Sequence, residues 1–198
     1  MTLLFSCESK THDKILAAKS DSLKSYQKYS LDMLTKFISD KDYKVTDSFH
    51  LWAYGYIGKL WKPFYITKTI NDGLYSYIFW KEVNDNFVIY KETQASKIGF
   101  VADSLYDANG DDFKDLVITD NTINGQCQPN FSQLFCFDID QEEFVEVEQI
   151  NSLPNVTFHP RDKTVYGEWE CKMAKEIYKL KWTKKYQLDT IYYKTINL

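Results

Sequence analysis

The chain has 198 residues, 44% of them hydrophobic and 26% charged, an ordinary balance for a globular protein with a sizeable core, built as one domain or one domain with an appendage. A net charge of -4 offers no basic excess to a phosphate backbone, which excludes nucleic acid as an expected partner. Aromatic residues make up 17%, with 15 Tyr and 13 Phe, and favour strands, so the expected class is mainly β.

Residues 1–10 read as a lipoprotein-type N-terminus and tether. Leu4 and Ser6 stand at -3 and -1 before Cys7, the pattern at which a bacterial lipoprotein precursor is cut and its Cys lipidated. The four residues between Met1 and Ser6 do not hold a charged region and an apolar core. Two readings stand: a start codon assigned late, with the signal upstream, or an ordinary apolar N-terminus with a buried Cys. The first makes Cys7 a lipid anchor for a domain that needs no membrane span. No stretch reaches the ~18 apolar residues of a transmembrane helix.

Residues 11–40 hold the one helical pattern. Leu16, Leu23, Tyr26, Met33, Leu34 and Phe37 recur at three- and four-residue spacing, with no Gly or Pro among them. Such a helix lies on a β domain or stands as a stalk.

From Tyr43 the period changes to that of strands, and 41–198 reads as the β domain. Trp52, Tyr54 and Tyr56 precede Pro63, Asn71-Asp-Gly73 marks a turn, and Leu74–Trp80 with Phe87–Tyr90 predicts a hairpin about Asn84-Asp85-Asn86. An exposed aromatic face that grips a sugar or a protein is one use for so many rings.

After Ile98-Gly-Phe-Val101 comes Asp107-Ala-Asn109-Gly110-Asp111-Asp112-Phe113-Lys114-Asp115, running directly into Leu116-Val-Ile-Thr119. Asp107, Asn109, Asp111 and Asp115 place oxygen side chains at loop positions 1, 3, 5 and 9, and Phe113 offers a carbonyl at 7. That alternation wraps hard oxygens around one Ca2+, which here would be structural. An EF-hand would close with Glu at position 12 and continue as a helix; Ile118 stands there, inside a strand. The bland alternative is a solvated turn, since Asp, Asn and Gly favour turns for local reasons.

The polar stretch 120–130 is the longest such loop, and Asn121, Asn124, Gln126 and Gln128 are its candidates for contact with a protein partner. Strands Leu134–Phe137, Phe144–Val147, Thr164–Cys171, Ile177–Trp182 and Tyr186–Tyr193 follow. Their regular spacing suits a propeller-like or sandwich antiparallel domain.

Catalytic chemistry finds little purchase. Cys7, Cys127, Cys136 and Cys171 lack zinc-site spacing, and His12, His50 and His159 stand in no triad context. Glu142 and Glu143 share a turn and Glu168 and Glu170 one strand face, without the unlike environments a glycosidase needs. The chain is not expected to be an enzyme.

The Asp-x-Asn-Gly-Asp-x-x-x-Asp-Leu loop followed by a strand resembles the calcium loop of FG-GAP/VCBS-type blades. Residues 100–182 are similar to a family of small bacterial envelope lipoproteins with one such loop, through Leu134-Phe-Cys-Phe-Asp138, Glu143-Phe-Val145, Ser152-Leu-Pro-Asn155, Phe158-x-Pro160 and Glu176–Trp182. The resemblance implies a propeller-like fold, an envelope location on a lipid anchor, and inhibition of a peptidoglycan hydrolase as an immunity protein. A surface glycan-binding or scaffold module is the alternative. The family usually has Gly at loop position 6, where this chain has Asp112. Its arrangement also implies a disulfide between Cys127 and Cys171, against three free thiols as the other reading.

Overall fold

A computed structural model describes residues 23–39, 49–53, 65–71, 74–84, 86–96, 100–121 and 127–198. Cys7, the start of the expected helix, Asn124 and Gln126 lie outside the described residues. The described residues are mainly β, with one α-helix and three four-stranded antiparallel sheets, and the chain divides into two compact units.

The first unit holds helix α1 (Ser25–Ser39) and a sheet of β1 (Phe49–Ala53), β2 (Tyr65–Asn71), β3 (Leu74–Val83) and β4 (Asn86–Ser96), ordered as in sequence. Gln27 starts the helix by accepting the Lys24 amide at 2.8 Å, half of a capping box. The apolar stripe then buries Leu34 against Ile78 and Trp80 of β3, with Tyr26, Phe87 and Ile89 packed around them. Each fully buried side chain of this size contributes about 2–3 kcal/mol. The edge of the stripe is pinned by Glu92 of β4, which accepts the Tyr26 hydroxyl at 2.5 Å and the Gln27 amide at 2.9 Å. Residues 76–80 of β3 are all buried, and the Trp80 indole donates to Thr67 Oγ1 at 2.8 Å, so the buried N–H is satisfied.

The second unit holds two meanders. One is β5 (Phe100–Tyr106), β6 (Asp115–Asn121), β7 (Phe131–Asp138) and β8 (Glu143–Glu146). The other is β9 (Thr157–His159), β10 (Thr164–Cys171), β11 (Ala174–Lys184) and β12 (Gln187–Asn197), each strand beside the next. Side chains from both sheets share one core: Val117, Leu134 and Cys136 from the first, Val165, Leu180 and Leu188 from the second, with Ile150 and Leu153 from the connection. The period-2 pattern supplies it, since alternate residues of each strand point to one face. The two sheets of this unit stack as open sheets, and the described residues form no closed barrel.

Cross-links tie the meanders together. Cys127 and Cys171 form a disulfide with Cα atoms 4.9 Å apart, and the indole N–H of Trp169 donates to the Cys127 carbonyl at 2.7 Å. Asn155, in the left-handed region at φ 43°, exchanges bonds with Asn130: its amide donates to the Asn130 carbonyl at 2.8 Å and its Oδ1 accepts the Asn130 amide at 2.9 Å. Its Nδ2 also donates to the Glu168 carbonyl at 2.7 Å.

Candidate metal centre

Tyr106 of β5 pairs with Asp115 of β6, so residues 107–114 must reverse the chain within one tight loop. Asp107 organises it. Its Oδ1 accepts the amides of Gly110 at 2.6 Å and Asp111 at 3.1 Å, and its Oδ2 accepts that of Asp112 at 3.0 Å. Asn109 Oδ1 accepts the Asp111 amide at 3.0 Å, its Nδ2 donates to Asp111 Oδ2 at 2.8 Å, and Asp111 Oδ1 accepts the Phe113 amide at 2.9 Å. These are nested Asx turns, the local bonding that makes Asp and Asn turn residues. The coil is tight enough to drive Gly110 to φ 78° and Asp112 to φ 70°. Position 112, where the resembled family usually has Gly, therefore does take the left-handed backbone.

Asp115 differs from the other three: it is fully buried. Its Oδ2 accepts the Ala108 amide at 2.8 Å and its Oδ1 the Phe137 amide of β7 at 3.1 Å, which ties the loop's first turn to the neighbouring strand. Burial, helped by the charges of Asp111 and Asp107 and opposed by the two amide bonds, leaves its pKa raised to about 7. Partial desolvation of the Tyr106 ring, with the Asp115 charge beside it, pushes that hydroxyl up to about 12. Its own burial holds the free thiol of Cys136 well above the usual thiol range, reinforced by the charges of Asp115 and Asp111.

The donor set has the chemistry of a hard-cation site: every member is oxygen, and carboxylate oxygens that accept one amide keep a further lone pair. The carboxylates are turned onto the amides of their own loop, and among the described residues no three His, Cys, Asp or Glu side chains are grouped as a metal site. The residue types and their sequence spacing are those calcium takes, and a bound ion would be held by Asp107, Asn109, Asp111, the Phe113 carbonyl and Asp115.

No family model matches the chain, and neither a curated protein nor a solved structure matches it.

Of the candidates in the polar loop, Asn121 ends β6 half-buried and Gln128 is exposed just beyond Cys127. His159 packs edge-on against Tyr166 at 4.9 Å between ring centroids, a packing role. Two contributors to the loop escaped sequence reading. One is the Phe137 amide, brought to Asp115 by the β6–β7 register Leu116↔Phe135. The other is the carbonyl of Pro160, against which Gly110 is pressed. The signal for the second was Phe158-x-Pro160, one of the features that accompany the loop in the resembled family. Among the described residues no helix is long and apolar enough to cross a membrane.

Proposed function

We propose that this chain is a calcium-braced bacterial envelope protein, anchored by lipid at Cys7, whose β domain binds a protein partner and blocks a peptidoglycan hydrolase without turnover. The observation that carries the calcium part is the buried Asp115 carboxylate, fixed by two amides beside Asp107 and Asp111. Three carboxylates in one turn repel one another, and a buried one is costly to ionise, so the group favours either a proton or a cation. Bound calcium supplies the neutralising charge. Asp115 then joins the loop to β7, and Asp107 and Asp111 hold its coil, so binding stiffens the rim of the sheet β5–β8.

The partner-blocking role rests on the resemblance, with Asn121, Asn124, Gln126 and Gln128 as proposed contacts. Its support is that the polar stretch is stapled at Cys127 to β10, which gives a loop a rigid base from which to enter a cleft. The stacked sheets of the second unit accord with a sandwich-like form of the expected β domain.

The test is thermal unfolding of the protein in calcium, magnesium and chelator, beside Asp111→Ala. The expected result is a calcium-specific rise in midpoint that the variant lacks, followed by inhibition of a lysozyme-like hydrolase. No calcium effect on the wild-type protein refutes the metal site. A calcium effect with no inhibition of any peptidoglycan hydrolase refutes the partner role.

A further inference from the structure

Within the second unit, a cleft of about 320 Å³ opens between the metal loop, the Lys163 corner and the β11–β12 turn. Its volume is at the lower end of small-ligand sites. Trp182 and Tyr186 supply aromatic wall, while Thr183 supplies an uncharged hydroxyl. Of its three lysines, Lys185 is already paired with Asp138 at 2.9 Å and Asp140 at 2.7 Å. Lys163 and Lys184 carry no ion pair among the described residues, and the one acid on the wall, Asp111, is taken up by the Phe113 amide and Asn109. The indole N–H of Trp182 is buried with no acceptor, a cost that the ring recovers if an acceptor oxygen draws it toward the cleft. Lys163 at φ 51° and Tyr186 at φ 78° hold left-handed backbone on the cleft wall, and strain of that kind gathers at ligand sites.

We infer that this cleft binds an acidic monosaccharide unit: the apolar ring face against Trp182 and Tyr186, a hydroxyl on Thr183, and the carboxylate on Lys163 and Lys184. Aromatic wall alone would suit a neutral sugar and two lysines alone a bare anion; the combination selects a ligand carrying both. The inference goes beyond the calcium-braced reading and does not depend on it.

The experiment is a titration of the full chain, without added calcium, followed by the ¹H–¹⁵N indole signal of Trp182, identified by its loss in Trp182→Phe. The probes are glucuronate, glucose and acetate at matched ionic strength. Saturable movement of the signal is expected with glucuronate, with glucose and acetate weaker by about fivefold or more. A double variant, Lys163→Asn with Lys184→Gln, is expected to erase the preference for glucuronate over glucose; Asn is chosen because it tolerates the left-handed backbone at 163. The assignment is overturned by an indole signal that glucuronate leaves in place, by acetate or glucose matching glucuronate, or by a double variant that keeps the preference.

Discussion

A Cβ on residue 110 would stand 2.4 Å from the carbonyl oxygen of Pro160, fifty positions downstream. The obstacle is backbone, so it cannot swing aside, and φ 78° at Gly110 adds the cost of left-handed geometry, about 1–2 kcal/mol for a residue with a side chain. Gly110→Ala is therefore expected to destabilise the second unit by about 2–4 kcal/mol, read as a lower urea midpoint with unchanged m-value.

Asp112 is the complementary case. It too is left-handed, at φ 70°, but its side chain is exposed and only its amide is used, by Asp107. Asp112→Gly keeps that bond and removes the strain. The expected gain in stability is about 0.5–1 kcal/mol, reduced by the greater freedom of Gly in the unfolded chain. A loss of stability would mean that the Asp112 side chain does work the hydrogen bonds do not reveal.

The disulfide spans a sequence separation of 44, and chain-entropy reasoning assigns a loop of that size about 4 kcal/mol. Reduction, or paired Ser replacement of Cys127 and Cys171, is expected to remove about 2–4 kcal/mol. Trp169 reports on it directly, because its indole bond to the Cys127 carbonyl is released when the loop base loosens. The check is a urea titration followed by tryptophan fluorescence, with and without reductant.

Acid stability has a lever in Asp138. Burial alone would raise its pKa, yet the Lys185 ammonium and the amides of Asp140 and Gln141 outweigh that and hold the carboxyl below its usual value. A carboxylate lowered on folding adds stability above its unfolded pKa of about 4, and that stability is lost as pH falls through the folded value. Asp138→Asn should lower stability at pH 7 by about 1–2 kcal/mol, a figure held down by the part-exposed Lys185 end. The gap between the two proteins should narrow below pH 4. The measurement is urea unfolding of both across pH 2.5–7; a gap constant with pH would show that the pair contributes no charge-dependent stability.

The class of the fold was legible because it lives in short periods. Tyr26, Met33 and Leu34 at helical spacing, and the alternating strands from Leu74 onward, place a helix and antiparallel strands close to where they occur. The local bonds of the Asp107 loop were legible for the same reason, since they join residues two to five apart. What makes Asp115 unlike Asp107 was not legible. Its burial and its bond to Phe137 follow from how β6 meets β7, 22 residues away in sequence. Likewise nothing local in Thr183-Lys-Lys-Tyr186 announces that Lys185 reaches Asp138 across 47 positions, or that Lys163 arrives beside it at the same cleft. Contacts of this range depend on sheet register, which period alone leaves open.

Asn155 has a kinetic meaning as well as an architectural one. One side chain and its amide hold the start of β7 through Asn130 and the middle of β10 through the Glu168 carbonyl, so neither sheet can peel away while the other stays closed. Hydrogen exchange at the Asn130, Asn155 and Glu168 amides should then proceed through a single shared opening, making the two meanders one cooperative folding unit despite their separate hydrogen-bond ladders.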